Sequence, residues 1–119
     1  MINFSIKLTN DQIQHSYKII CKMLSDSFPS LTYENYLDYY NIRSIIKKIM
    51  LKLVTISKKK GFARIGLTGN EIRSLRILVN DNQDWLKNMT YENSIFRSIS
   101  DQANRQEVNY ITNFEKQID

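Results

Sequence analysis

Four threonines organise this chain. Thr9, Thr32, Thr68 and Thr90 each follow directly on an apolar residue (Leu8, Leu31, Leu67 and Met89) and each opens a stretch with apolar residues at helical spacing. Thr9 stands three residues before Gln12, and Thr68 three before Glu71. That is the spacing of a capping box, in which the Thr hydroxyl accepts the third backbone N–H while the acid or amide reaches back to the Thr N–H. Thr32 and Thr90 both read Thr-Tyr-Glu-Asn, which puts Glu34 and Glu92 in a first turn, where negative charge complements the helix dipole. The apolar residue ahead of each Thr occupies the position of a hydrophobic staple.

The four starts fall into pairs. Ile6, Leu8, Thr9 and Ile13 recur as Ile65, Leu67, Thr68 and Ile72, an offset of 59, and Thr32 to Asn35 recur as Thr90 to Asn93, an offset of 58. Two matches in the same order at nearly one offset imply a repeated strand–helix–helix unit, with repeats at about 2–60 and 61–119 of a single domain. A chain of 119 residues is enough for one core and too short for two.

Three Gly and one Pro leave little material for a turn-rich, all-β topology, which favours helices. The expected fold is mainly α, with about four helices, two of them long, and two short strands. Ile2–Leu8 and Phe62–Leu67 place Ile6/Leu8 and Ile65/Leu67 on one face each, the period of a strand. Helix one is expected over about Asn10–Asp26, with Ile13, Tyr17, Ile20, Leu24 and Phe28 inward. Pro29 ends it. Helix two is expected over about Tyr33–Lys58, burying Ile42, Ile45, Ile46, Ile49, Met50, Leu53 and Ile56. Lys58-Lys59-Lys60-Gly61 then supplies cations at the C-terminus and a left-handed glycine cap. Helix three is expected over about Gly69–Asn88, with Ile72, Leu75, Leu78, Val79, Trp85 and Leu86 inward. Helix four is expected from Tyr91 to near the end, burying Ile95, Phe96, Ile99, Ala103, Tyr110, Ile111, Phe114 and Ile118.

The chemistry of an enzyme is not expected. His15 is the single histidine and reads as a solvated side chain on the polar side of helix one, near Lys22 and Asp26. Cys21 is the single cysteine, at the margin of the helix-one stripe, so no intramolecular disulfide and no thiolate metal site is expected. Gly61, Gly66 and Gly69 match neither a P-loop nor a dinucleotide fingerprint, and the acids are spread singly. No cofactor or metal is expected. Lys or Arg interrupts every apolar run, and no basic segment leads into an apolar one near Met1, so neither a membrane span nor a signal peptide is expected and the expected compartment is the cytoplasm, that of the host cell for a viral protein.

Charge is the feature above background. Residues 43–76 hold ten Lys or Arg and one acid, a net +9, whereas residues 1–42 carry −1 and residues 77–119 carry −3. On helix two Tyr36, Tyr40, Arg43 and Lys47 lie on one strip at spacings of 4, 3 and 4, with Lys48, Lys52, Lys58 and Lys59 on the same half of the wheel. Lys60 and Arg64 follow, and Arg73 and Arg76 share a polar strip of helix three with Lys87. Tyr rings stack on bases and cations neutralise phosphates, so these residues suit nucleic acid; they suit an acidic protein surface equally. Only six Arg are present, few for specific phosphate or base reading.

Leu51, Val54, Ile19 and Val108 project from otherwise polar helix faces, the pattern of residues held for an interface. The reading is therefore a non-enzymatic helical binding or adaptor protein whose 43–76 surface engages nucleic acid or an acidic protein partner. The alternative is a structural subunit of a homo-oligomer or larger assembly. Ile, Asn and Lys total 40 residues while Ala occurs only at Ala63 and Ala103, the bias of an AT-rich genome, with phages and other mobile elements among such sources.

Overall fold

The computed structural model describes residues 3–27, 35–55 and 61–118. In chain order they form β1 (Asn3–Thr9), α1 (Asn10–Ser27), α2 (Tyr36–Thr55), β2 (Phe62–Thr68), α3 (Gly69–Asp81), α4 (Gln83–Leu86) and α5 (Thr90–Ile118). The fold is mainly α, with one two-stranded sheet, as the helix starts and the two alternating segments imply.

The strands pair antiparallel, from Asn3 opposite Thr68 to Thr9 opposite Phe62. Their alternation is what makes the molecule two-layered. Phe4, Ile6, Leu8, Ile65 and Leu67 are buried on one face, while Ser5, Lys7, Arg64 and Gly66 are exposed on the other. The helices cover the apolar face and close a core with Ile13, Ile20, Met23, Ile42, Ile45, Leu75, Leu78, Leu86 and Ile95. Each fully buried Ile or Leu contributes about 1.5–3 kcal/mol, which is what holds these short strands against the helices.

Both strands run straight into a capped helix. The Thr9 N–H donates to Gln12 Oε1 (2.9 Å) and the Gln12 N–H to Thr9 Oγ1 (3.1 Å). The Thr68 N–H donates to Glu71 Oε1 (2.8 Å) and the Glu71 N–H to Thr68 Oγ1 (3.1 Å). Gly61 adopts φ 70, the left-handed conformation anticipated between helix two and the second strand. Thr90 differs: it is the first residue of α5, and the Met89 carbonyl accepts the Asn93 N–H (3.0 Å). Thr32, Tyr33, Glu34 and the run Lys58 to Lys60 lie outside the described residues, as do Phe28 and Ile56.

The helix expected over 69–88 is broken in two at Asn82. Its side-chain amide donates to the Leu78 carbonyl and to Ser27 Oγ (both 2.8 Å), and its Oδ1 accepts from Trp85 Nε1 (3.1 Å). An Asn that bonds its own helix competes with the backbone ladder and turns the chain there.

Four apolar assignments change. Ile19, expected on a polar face, is buried, because α1 is covered along a second side by its neighbours. Met50, expected inward, is exposed on α2. Tyr110 and Ile111, expected in the core, are exposed because only the first part of α5 lies over the other helices; the side chains of Phe114 and Ile118 lie outside the described set.

Candidate interaction surface

The residues of the basic segment divide into two groups, those tied into the fold and those facing solvent. Lys48 belongs to the first. Expected on the open face of α2, its ammonium instead donates to Glu71 Oε1 (2.6 Å) and to the Gly66 carbonyl (2.8 Å). Glu71 keeps 4% of its side chain exposed and Lys48 35%. Burial alone would raise the Glu71 carboxyl, but the bonds from Lys48, from the Thr68 N–H and from Ser44 outweigh it and hold the pKa below the ordinary carboxylate value. Arg76 is also engaged. Its Nε donates to Ser100 Oγ (3.1 Å) and its Nη2 to Asn104 Oδ1 (2.7 Å), which ties α3 to α5.

Tyr36, Tyr40, Arg43 and Lys47 remain on the solvent side of α2, as the helical spacing places them. The rings of Tyr36 and Tyr40 meet edge to face, 4.9 Å between centroids. That contact, through the Tyr40 hydroxyl, pushes the Tyr36 phenol up. Arg43 Nη1 donates to the Tyr39 hydroxyl (3.1 Å), which pushes its pKa up in turn, and its guanidinium sits 5.8 Å from the Tyr39 ring centroid. With Ser44 and Lys47 these groups border an open concavity of about 460 Å³. Arg64 is exposed on β2 and Arg73 on α3, and Lys52 is half-buried. Lys58, Lys59 and Lys60 lie outside the described residues.

Periodicity in the charges obscured how apolar the same face is. Tyr36, Tyr40, Arg43, Lys47, Met50 and Val54 run down α2 at spacings of 4, 3, 4, 3 and 4, with Leu37, Ser44 and Leu51 alongside at intervals of seven. Leu37 is 73% exposed, Leu51 67% and Val54 85%. The strip is therefore apolar at both ends and cationic in the middle. Leu51 and Val54 carried the signal in the sequence; Leu37 and Met50 were missed because they flank the stripe that packs inward.

Two other clusters lie elsewhere. His15 is half-exposed between Asp11 (3.7 Å) and Glu92 (3.6 Å), with the Tyr91 ring 4.9 Å away, rather than beside Lys22 and Asp26. The Tyr91 hydroxyl donates to Asp11 Oδ2 (2.5 Å), which pushes the phenol up. A cleft of about 580 Å³ between α3 and α5 is bordered by Arg76, Lys87, Arg97 and Asp101 over Leu75 and Phe96. Among the described residues no group of three or more His, Cys, Asp or Glu could hold a metal ion, and no helix is long and apolar enough to cross a membrane.

The sheet edges contain the feature that sequence reading missed entirely. Gln102 Nε2 donates to the Lys7 carbonyl (2.9 Å) while its Oε1 accepts the Lys7 N–H (2.8 Å). Gln106 does the same to Ser5 (2.8 and 2.9 Å), and the Tyr110 hydroxyl donates to the Asn3 carbonyl (3.3 Å). Four residues of helix rise about 6 Å, close to two residues of strand, so one α5 side chain per turn meets every second residue of β1. The edge of β1 is closed by side chains.

No family model, no curated protein and no solved structure matches this chain.

Proposed function

We propose that this is a non-enzymatic binding protein whose 43–76 surface, centred on the outer face of α2, engages an acidic protein partner. The observation that carries this is the placement of Leu37, Met50, Leu51 and Val54 on the same solvent face as Arg43 and Lys47. Phosphate recognition calls for cations and polar donors, whereas aliphatic side chains on either side of two cations suit a protein segment with apolar ends and an acidic centre. Lys48 and Arg76, which would strengthen a phosphate-binding reading, are bonded within the fold.

Fluorescence anisotropy separates the two ligands. Labelled polyglutamate should bind, and binding should be lost in the Arg43→Glu/Lys47→Glu double variant. Single- and double-stranded oligonucleotides should bind more weakly at physiological salt, with the steep salt dependence of counterion release. Tighter binding of an oligonucleotide would reassign the surface to nucleic acid.

A second reading, a subunit of a homo-oligomer or larger assembly, draws support from exposed Val108, Tyr110 and Ile111 on α5 in addition to the α2 strip. Light scattering tests it. A strict monomer at high concentration counts against it.

A further inference from the structure

We propose that the outer face of α2 is a helix-docking seam and that the partner segment it takes is an amphipathic α-helix with an acidic centre; this rests on the functional reading above and specifies how the partner is held. The exposed residues of that face recur at 4, 3, 4, 3 and 4, which is the heptad spacing of helices that pack side by side. Tyr40, Lys47 and Val54 take one seam position of the heptad, and Tyr36, Arg43 and Met50 take the other. Along one border Tyr39, Ile46 and Leu53 are half-buried, and Ile46 and Leu53 pack against the core. The fold therefore occupies that flank of the seam, while Leu37 and Leu51 stand exposed on the other.

The spacing separates a helical partner from an extended one. Successive seam positions rise by about 5 Å along α2, whereas side chains on one face of a strand recur every 6.6 Å or about that. Over the five steps from Tyr36 to Val54 an extended chain falls out of register by about 7 Å, more than one full layer. A second helix crossing at a shallow angle keeps pace with all six layers.

Charge decides whose helix it is. The end layers, Tyr36 with Tyr40 and Met50 with Val54, are apolar or aromatic, and the middle layers, Arg43 and Lys47, are cationic. Among the described residues Arg43 is bonded to the Tyr39 hydroxyl, and neither Arg43 nor Lys47 is paired with an acid. A second copy laid parallel and in register sets Arg43 on Arg43 and Lys47 on Lys47; laid antiparallel, it sets Arg43 on Lys47. A shift by one heptad puts these cations against Tyr36, Tyr40, Met50 or Val54 and leaves them without counter-charge. Self-pairing is therefore disfavoured in each of these registers. A helix with two acids four residues apart, flanked on both sides by apolar seam residues, is favoured.

The test uses the full, isotopically labelled chain and three end-capped peptides, each about three heptads long. The first carries Leu at the outer seam positions and Glu at the two central ones, with Ala, Gln and Lys elsewhere. The second exchanges those two Glu with Gln from the outer face, which keeps composition and charge. The third is the first with a Pro in the middle, which breaks the helix. The first peptide should shift the amides of α2 from Tyr36 to Val54 and gain helical circular dichroism on binding. The second and third should bind at least about tenfold more weakly, through unpaired seam charges and a broken helix respectively. In the Arg43→Glu/Lys47→Glu variant the first peptide should no longer bind, and one with Lys at the two central positions should bind instead. Equal binding of the first peptide and either control would overturn helix docking, and so would concentration-dependent shifts along the same face without peptide, which mean that a second copy occupies the seam. Binding of polyglutamate but of none of the three peptides would overturn the docking mode and leave the acidic-partner surface in place. No binding of polyglutamate or of any peptide would overturn both.

Discussion

Ile6 lies directly opposite Ile65 in the sheet, and the two are separated by the same 59 residues that separate Thr9 from Thr68. Positions that correspond in the two halves are thus strand partners at this one point, so any two-fold relating the strands passes between these isoleucines. The capping boxes at Thr9 and Thr68 then sit at opposite ends of the sheet. Thr9→Ala and Thr68→Ala should each destabilise the protein by about 0.5–2 kcal/mol, the usual cost of a lost N-cap. Being well separated, the two should add to within about 0.5 kcal/mol in urea denaturation. A silent Thr9→Ala variant would show that the first box contributes nothing.

Lys48 and Glu71 tie α2 to the start of α3, and acid should loosen that tie. Because the folded carboxyl of Glu71 is held below its ordinary pKa, the unfolded chain takes up the proton first. Its stabilising contribution is complete above the unfolded carboxyl value of about 4.3 and is lost as pH falls through the folded one. Glu71→Gln should flatten this part of the stability–pH profile. Lys48→Met leaves a buried carboxylate without its cation and should cost about 2–3 kcal/mol at neutral pH, less than a fully buried pair because Lys48 is partly exposed. Denaturation midpoints across the acid range check both.

Replacing Gln102 and Gln106 by Ala removes the groups of α5 that bond the edge of β1. Each should cost about 0.5–1.5 kcal/mol, since water can replace part of what is lost. The more specific outcome is local: the amides of Ser5 and Lys7 should exchange faster, and the newly opened edge should raise concentration-dependent association. Unchanged exchange at both amides would contradict the side-chain closure of β1.

How much of this could be read from the chain depends on the range of the forces involved. The strands, the two capping boxes, the glycine turn at Gly61 and the inward faces of Ile42, Ile45 and Ile49 follow from contacts within a few residues, and local spacing reveals them. Lys48 has the spacing of a polar, outward position, and nothing local shows that Glu71, 23 residues later, arrives beside it. The Asn82 break depends on Ser27, 55 residues away, as well as on its own turn. Gln102, Gln106 and Tyr110 have a helical spacing of four that is visible in the sequence, but spacing does not say that a strand edge runs beneath them.

Leu51→Asp and Val54→Asp should leave stability within about 0.5 kcal/mol, because both side chains already face solvent. Each should weaken binding of an acidic peptide by placing like charge against it. Loss of stability instead would mean that these residues pack in the fold, contrary to their exposure.

The most direct measurement is an amide shift map of the labelled protein titrated with an acidic peptide and, separately, with an oligonucleotide at physiological salt. Engagement of an acidic protein by the 43–76 surface requires peptide-induced shifts that cluster on the outer face of α2, from Tyr36 to Val54, with the oligonucleotide binding more weakly. Shifts confined to the cleft between α3 and α5, or an oligonucleotide that binds this face more tightly than the peptide, would contradict it.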